Sequence, residues 1–459
     1  MLTTPDTPAG PSAAGAWPQA PPSIAILPWG DFIEDFLDTI GVSLEEFSSQ
    51  MTGGWLFGYI EALRLQGIRS TIFCFSRQVQ GTVHAVHQGT GAEIVILRAS
   101  LVYRKIRERI KDPYGLSVEQ MFGASGGLAY QARRLMHPLV PFLATPVTAL
   151  AGEIRRAGCS AILCQEYETP RFDAAIAIGR LLRIPVFATY QGGNWQRSKI
   201  ERHLRPLTLR RSAGLIIAPS MEATRVRARY GVAAEKIFSI FNPLDLSDWR
   251  PGSRSEGRRQ LGIAGSTRVA IWHGRIDIHA KGLDILLKAW QEVCSRRCGR
   301  DLLLMVVGSG RDAEKFGEEI SRLGVAQIRW IRNYVLSRAV MREYLNASDV
   351  YVFPSRHEGF AVAPLEAMAC GLPVVAASAS GISDVFGDGE EYGGIVVPLD
   401  DPESLAKSLG WLLDDDEAAL TLGERARARA EKAFSMKYVG AQLFDFLQAG
   451  GALTGQPFS

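Results

Sequence analysis

The sequence predicts an α/β protein made of two doubly wound, Rossmann-like domains that face each other across a cleft. Three observations predict it: a length of 459 residues, short apolar runs that alternate with helical patterns, and one turn-rich stretch between two such series. A chain of this length exceeds one ordinary hydrophobic core. Apolar runs separated by helices are typical of parallel strands that helices cover on both faces.

The apolar runs are rich in Val, Ile and Leu and fall into two sets. Predicted strands are 23–27, 68–75, 93–97, 160–164, 185–189 and 214–218, then 268–273, 302–307, 327–331, 349–353, 373–377 and 394–397. The clearest predicted helices are 54–66, 283–293 and 364–370. In folds of this class, ligands bind at the carboxyl ends of the strands.

The stretch 241–253 is rich in turn formers and is the predicted linker. The predicted divisions are a disordered tail over 1–22, an amino-terminal domain over 23–241, a carboxyl-terminal domain over 242–425, and a final helix within 426–459 that packs back towards the first domain. The tail contains six prolines and no basic residue, unlike a secretory signal. No stretch supplies the roughly 20 apolar residues of a spanning helix. We therefore expect a cytoplasmic protein.

The bulk composition excludes several classes of function. A formal net charge of +3 is too small for a nucleic-acid binder judged on the whole molecule. Six cysteines are scattered without a CxxC pair, which disfavours zinc and thioredoxin-like sites. We expect them to be buried small hydrophobes in a reducing compartment.

Two basic residues follow the first predicted strand of the second domain. Gly274 and Arg275 come directly after that strand, and Lys281 stands at the entrance of the next predicted helix. A guanidinium offers a planar fork to phosphate oxygens, and an ammonium offers a compact charge. Together with helix amides, these groups could hold a diphosphate. Two solvated surface cations are the alternative.

Two glycine-containing turns could bring backbone amides close to a phosphate. Gly308 lies in a Val-Gly-Ser-Gly turn after the second strand of the second domain, and Gly53 and Gly54 precede the first long helix. Small residues let backbone amides approach a ligand. A tight turn and a helix cap are the ordinary alternatives at these places.

Glu358 and Glu366 could be the two catalytic carboxylates of a glycosidase, but their spacing argues against this function. Eight residues of continuous helix rise about 12 Å, which exceeds the roughly 5–9.5 Å used in glycoside hydrolysis. Pro364 fits a first helical turn, which leaves Glu358 on a loop and Glu366 inside the helix. We expect Glu358 to face a sugar and Glu366 to accept hydrogen bonds from ribose hydroxyls.

The ordered motif set resembles retaining glycosyltransferases of family 4, which have the GT-B fold. The resemblance is dense over about residues 213–400 and looser over 23–210. Its segments are Gly274-Arg275, Lys281-Gly282, Val307-Gly308-Ser309-Gly310, Ser348-Asp349, Pro354-Ser355, Glu358-Gly359-Phe360, Glu366-Ala367 and Gly371-Leu372-Pro373-Val374-Val375. It implies a transferase that uses a nucleoside-diphosphate sugar as co-substrate, with no metal and no further cofactor.

The resemblance also implies roles for individual residues. Arg275 and Lys281 would neutralise the donor's diphosphate and Glu358 would contact the transferred sugar, so these three are the predicted catalytic residues. Glu366 would hold the ribose, and the backbone around Arg332–Tyr334 would meet the base. The remaining predicted donor-binding residues are Gly53, Gly54, Gly274, Gly308, Arg332, Asn333, Gly359, Phe360, Ala361 and Val362.

The amino-terminal domain departs from the family pattern. Gln165-Glu166 stands where the family often has a His-Glu pair. The family's common Thr-x-His-Gly motif appears here as Thr189-Tyr190-Gln191-Gly192. Glutamine donates and accepts hydrogen bonds but does not titrate near neutrality. Gln165, Glu166, Tyr190 and Gln191 are the acceptor-side candidates, and a mechanism that needs an imidazole from this domain is in doubt.

Two basic stretches in the amino-terminal half suggest contact with an anionic membrane surface. The first, 98–111, places Arg104, Lys105, Arg107 and Arg109 among apolar residues. The second, 197–211, has six basic residues against one acid, Glu201. A basic amphipathic helix can lie on an anionic membrane, although many basic faces are simply solvated. The hypothesis is peripheral docking on the inner face of a membrane, with a glycan or lipid-linked acceptor.

The sequence therefore favours a metal-independent, retaining hexosyltransferase. A GT-B-fold sugar epimerase is the enzymatic alternative, but such an enzyme usually needs additional titrating groups. A catalytically silent nucleotide-sugar-binding protein is the other alternative, because the amino-terminal histidine is replaced.

Overall fold

The computed structural model describes residues 21–28, 30–51, 54–110, 118–123, 131, 139–192, 199–324, 327–359, 361–387 and 389–453. Two largely parallel sheets organise this part of the chain into two domains. Each sheet lies between two clusters of buried apolar side chains. The predicted α/β architecture is confirmed, and the tail over residues 1–20 lies outside the described residues.

The sheet of the amino-terminal domain has the strand order β3-β4-β2-β1-β5-β6-β7-β8. Its strands are β1 (Ser23–Leu27), β2 (Arg69–Ser76), β3 (Val83–Val86), β4 (Glu93–Arg98), β5 (Cys159–Gln165), β6 (Val186–Thr189), β7 (Gly214–Ile216) and β8 (Ile237–Phe238). All pairs are parallel except β3 with β4. The sequence did not predict β3 or β8, because β3 is a largely exposed edge strand and β8 has two residues.

The sheet of the carboxyl-terminal domain is parallel throughout its described strands and has the order β11-β10-β9-β12-β13-β14. Its strands are β9 (Arg268–His273), β10 (Leu302–Val307), β11 (Ile328–Ile331), β12 (Val350–Phe353), β13 (Val374–Ala377) and β14 (Gly394–Val397). Every one of these strands was predicted to within one residue at each end. The apolar runs of β9, β10, β12 and β13 reflect burial on both faces, whereas the edge strands β11 and β14 are partly exposed.

The α-helices of the amino-terminal half cover both faces of its sheet. They are α1 (Glu34–Ile40), α2 (Leu44–Ser49), α3 (Gly54–Leu65), α4 (Leu101–Arg107), α5 (Val118–Phe122), α6 (Val147–Arg156), α7 (Pro170–Leu182), α8 (Lys199–Arg211) and α9 (Ser220–Tyr230). The 3-10 turns Val140–Leu143 and Ala234–Lys236 complete this set.

The carboxyl-terminal half contributes a second set of helices. They are α10 (Arg254–Gln260), α11 (Leu283–Arg296), α12 (Ala313–Leu323), α13 (Arg338–Asn346), α14 (Ala363–Ala369), α15 (Ile382–Phe386), α16 (Pro402–Asp414), α17 (Asp416–Ala433) and α18 (Met436–Ala449), with a 3-10 turn at Gly389–Tyr392. In α11, Leu283, Leu286, Leu287 and Trp290 are buried on one face, as their spacing predicted.

The end of the chain returns to the first domain. The predicted segment 426–459 is divided: its first residues belong to α17, and α18 begins after a break that Ser435 caps by accepting from the amide of Tyr438. Val439, Leu443 and Phe446 of α18 enter the core of the amino-terminal domain. At the break, the amide of Leu244 donates to the carbonyl of Phe434 at 2.7 Å, so both crossings between the domains lie side by side.

No helix in the described part of the chain has the length and apolar character needed to cross a bilayer. The cysteine prediction holds for Cys74, Cys159, Cys164 and Cys370, which are buried. It is wrong for Cys298, which is exposed on the turn after α11.

Candidate functional site

A cleft of about 590 Å³ opens between the two domains and is lined by residues from both. The carboxyl ends of β9 and β10 reach it through His273 and Val307, and the end of β5 reaches it through Gln165. In doubly wound folds, ligands bind at this edge of the sheet.

The floor of the cleft on the carboxyl-terminal side is backbone packed against backbone. Gly274 follows β9 with φ of 152°, and Gly308 follows β10 with φ of 147°. A Cβ atom on Gly308 would collide with the carbonyl oxygen of Gly274. Both residues line the cleft, so a ligand there meets main chain rather than side chains.

The two predicted cations lie in the cleft with different surroundings. Lys281 Nζ donates to Glu358 Oε1 at 2.6 Å, and the two side chains are 21% and 10% exposed. Arg275 lines the cleft and has no ion-pair partner within the described residues. The charge of Arg275 is therefore available to an anion, while the charge of Lys281 is shared with Glu358.

Glu366 is fixed by a histidine of the first strand of its domain. Glu366 lies in the first turn of α14, as Pro364 predicted, and its Oε2 is 2.8 Å from His273 Nε2. His273 is the last residue of β9 and packs edge-on against Tyr351 at 5.3 Å between ring centroids. Glu366 Oε1 has no hydrogen bond to the protein in the described ranges, so it can accept one from a ligand.

The region predicted to meet the base lies slightly further along the chain. Arg332 and Asn333 are exposed and do not line the cleft, because the Arg332 guanidinium stacks over the Trp330 ring at 4.5 Å. Tyr334, which sequence reasoning named only as the end of this backbone stretch, lines the cleft instead. Burial raises the pKa of Tyr334 to about 12, so its hydroxyl stays protonated near neutrality.

Some residues of the loop after Glu358 line the cleft, and others contact the amino-terminal domain. Ala361 and Val362, two of the predicted donor-binding residues, line the cleft. Gly359 instead touches the amino-terminal domain: a Cβ atom there would collide with the backbone of Gln191 and Gly192. Phe360 and Gly53 lie outside the described residues. Gly54 is the first residue of α3.

Three of the four acceptor-side candidates line the cleft. Gln165, Glu166 and Gln191 do so, whereas the side chain of Tyr190 is buried against Tyr167 at 6.0 Å between ring centroids. Glu166 has a left-handed φ of 59° and its Oε1 accepts from the amide of Gln191 at 2.9 Å. A left-handed glutamate is uncommon and costs backbone strain.

Gln191 is fixed by the linker. Its side-chain amide donates to Asn242 Oδ1 at 3.1 Å and accepts from Asn242 Nδ2 at 2.9 Å. The loop that touches Gly359 is thus held at the point where the chain leaves the amino-terminal domain.

Sequence reasoning missed a group of charged residues on the amino-terminal side of the cleft. They are Asp31, Asp35, Glu168, Arg171 and Glu201. Of these, Glu201 entered the sequence interpretation only as the one acid in a basic stretch. The available signal was position, since Asp31 follows β1 and Glu168 follows β5 at the carboxyl edge of the sheet.

Most of the carboxyl-terminal domain resembles a known family. Residues 253–429 match the family model described as "Glycosyl transferases group 1". The chain is 30% identical to a D-inositol 3-phosphate glycosyltransferase 2 of Catenulispora acidiphila over 48% of this chain and 52% of that protein. It is also 30% identical to a D-inositol 3-phosphate glycosyltransferase of Saccharomonospora viridis over 52% and 57%. The chain spans about half the length of these curated relatives.

Solved structures resemble the chain over nearly its whole length. A sucrose-phosphate synthase from Thermosynechococcus elongatus superposes with a TM-score of 0.67 at 18% identity, covering 93% of this chain and 98% of that one. Anabaena HepE in complex with UDP and glucose gives 0.65 at 17% identity, covering 93% and 99%. These likenesses show the fold, and the predicted GT-B arrangement is confirmed.

Proposed function

We propose that this chain, which carries a glycosyl transferases group 1 domain, is a retaining, family 4-type transferase that moves a hexose-type sugar from a nucleoside diphosphate. The observation that carries the proposal is the placement of Arg275 and Lys281 beside the bare backbone of Gly274 and Gly308. Cations and exposed main chain at the end of parallel strands suit a diphosphate.

Each group of the site has a task in this proposal. Arg275 and Lys281 stabilise the negative charge that grows on the leaving diphosphate, which is the role a divalent ion has in metal-dependent transferases. Glu366 accepts from ribose hydroxyls and stays aligned through His273. Glu358, held by Lys281, faces the transferred sugar.

The proposed transfer occurs on one face of the sugar. The bond between the anomeric carbon and the diphosphate oxygen breaks, and a bond to the acceptor oxygen forms on the same face. The acceptor's proton passes to the leaving phosphate oxygen. This path requires no imidazole from the amino-terminal domain, where Gln165 and Gln191 line the cleft.

Donor hydrolysis and transfer, measured across several nucleotide sugars with and without EDTA, test the proposal. We expect turnover with at least one donor, an unchanged rate in EDTA, and a product of unchanged anomeric configuration. A rate that EDTA abolishes contradicts the metal-independent mechanism. Tight nucleotide binding without turnover of any donor favours a silent binding protein, and epimerised sugar nucleotide favours an epimerase.

We further propose that α4 docks on an anionic membrane surface, with a corrected set of residues. Arg107 points inward, where its guanidinium donates to Asp35 at 2.5 Å, so it belongs to the protein interior rather than to a basic face. Leu101 and Val102 remain 65% and 59% exposed beside Arg104 and Lys105. In the second stretch Arg205 is buried against Asp173 at 3.0 Å, and residues 197 and 198 lie outside the described ranges. Exposed apolar groups beside cations suit an interfacial helix.

Charge reversal of Arg104, Lys105 and Arg109 to glutamate is expected to reduce sedimentation with phosphatidylserine vesicles at least tenfold, because each basic residue near the surface contributes about 1 kcal/mol. Reversal of the exposed Lys288, Lys315 and Lys432 of the other domain is the matched control. Equal binding by the wild type and the α4 variant would rule out this helix as the anchor.

A further inference from the structure

We infer that the reacting end of the acceptor is an uncharged, hydroxyl-rich group, a sugar or a polyol, and that a phosphate on this end is rejected. The inference rests on the proposed function, because it assigns the amino-terminal half of the cleft to the acceptor. It separates this chain from its relatives of about 30% identity, whose names specify a phosphorylated inositol.

The two halves of the cleft differ in charge. On the amino-terminal side, the charged residues of the described lining are one base, Arg171, and five acids: Asp31, Asp35, Glu166, Glu168 and Glu201. On the carboxyl-terminal side, the charged residues are Arg275, Lys281, Arg338, Glu358 and Glu366. Of these, Arg338 is paired with Glu61 and Asp248. An anion is therefore attracted to the donor half and repelled from the acceptor half.

The guanidinium of Arg171 is already used by the protein. Its two terminal nitrogens donate to the carbonyl oxygens of Pro28 at 2.8 Å and Asp31 at 2.9 Å. The same group lies over the Phe75 ring at 4.7 Å from the centroid. Fixed in this way, Arg171 supports the loop after β1 and does not present an open fork to a phosphate.

The guanidinium groups behind the acidic lining are used as well. Arg107 donates to Asp35, and Arg225 donates to Glu168 at 2.6 Å and to Glu222 at 2.7 Å. Arg205 is fully buried and donates to Asp173. Each of these cations is paired with a carboxylate, so its charge is already balanced within the described part of this half.

Glu168 provides the clearest point of hydrogen bonding to a hydroxyl. Its side chain is 1% exposed and lines the cleft, with Oε1 held by Arg225. The other oxygen, Oε2, is buried and has no hydrogen-bond partner in the described structure. A buried carboxylate oxygen without a donor is costly, and a substrate hydroxyl would supply that donor.

The electrostatics of Glu168 support the same reading. Burial raises the pKa of this carboxyl to about 7, against the lowering effect of Arg225. A phosphate placed nearby would add repulsion to a group that already resists ionisation, whereas a neutral hydroxyl adds none.

The test compares acceptors in matched pairs, each a neutral polyol or hexose and its monophosphate, with the donor that the enzyme hydrolyses. We expect kcat/KM to be at least tenfold higher for the neutral member of each pair, and the rate with the monophosphate to rise with salt. Compounds that bind without reacting are detected by their effect on the rate of donor hydrolysis, which they either suppress or stimulate. Equal or better use or binding of the monophosphates overturns the inference. Donor hydrolysis without acceptor reports on the proposed function separately.

A charge-removing variant sharpens the test. Glu168→Gln keeps a hydrogen-bond acceptor for Arg225. At pH 8 this variant should raise kcat/KM for the monophosphate, relative to kcat/KM for the neutral acceptor, by about fivefold, which is the effect expected from removing one nearby charge. Asp38→Asn is the matched control, since Asp38 lies in α1, pairs with Arg77 at 3.1 Å and stays outside the cleft lining. If the ratio of kcat/KM for the neutral acceptor to kcat/KM for the phosphorylated acceptor is the same in wild type and Glu168→Gln, the proposed role of Glu168 is wrong.

Discussion

Replacing Arg275 and Lys281 together by alanine is expected to lower kcat/KM for sugar transfer by about 10⁴-fold or more. Loss of one stabilising group at a developing charge typically costs about 10²–10³-fold, and the two cations lie in the same cleft. Without them the leaving diphosphate faces the carboxylates Glu358 and Glu366 and lacks its two proposed counter-charges. Steady-state kinetics measure the loss, and calorimetry with the nucleotide separates binding from chemistry.

Single variants and a surface control are needed to interpret the activity of the double variant. Lys281→Ala alone leaves Glu358 in the cleft without its 2.6 Å partner, so it should be worse than Arg275→Ala for sugar transfer. Lys288→Ala, at an exposed position of α11, should behave as wild type. A double variant that keeps its activity within tenfold of wild type would refute the assignment of the donor diphosphate to this pair.

Gly359→Ala is expected to lower kcat by about 100-fold while leaving thermal stability nearly unchanged. The new Cβ atom would collide with the backbone of Gln191 and Gly192, which belongs to the other domain and cannot rotate away. The domains can relieve the collision by separating slightly, which displaces Glu358 from the acceptor side. Displacements of about 1 Å can cost 10²-fold in rate. Kinetics and small-angle scattering, read together, measure both effects.

Gly265→Ala is the matched control for that substitution. A Cβ atom on Gly265 meets nothing within 4 Å, so this variant should retain full activity and the wild-type radius of gyration. Wild-type turnover by Gly359→Ala would show that the observed contact between the domains is not needed for transfer.

The sequence was sufficient for features that depend on neighbouring residues. The central strands β9, β10, β12 and β13 are mostly buried on both faces, so their apolar runs marked them almost residue by residue. Pro364 placed Glu366 in a first helical turn for a local steric reason. The edge strand β3 was missed because most of its side chains are exposed and no apolar run forms.

Features that join distant parts of the chain could not be read in the same way. Arg107 belongs to a basic stretch by sequence, yet its partner Asp35 lies 72 residues earlier. Gly192 and Gly359 are ordinary loop glycines until the two domains are placed against each other. The acidic half of the cleft is likewise assembled from the ends of separate strands and helices. Parallel topology predicts which edge they share, but not which of them are paired.

The return of α18 to the amino-terminal domain sets an order of events during synthesis. The residues Val439, Leu443, Phe446, Leu447 and Ala452 complete a core whose other buried members precede residue 241. Phe446 packs against Phe187 and Phe238 at 4.8 Å and 4.9 Å between ring centroids. The ribosome makes these residues after the whole carboxyl-terminal domain. The core of the amino-terminal domain is therefore completed only after the carboxyl-terminal domain has been synthesised.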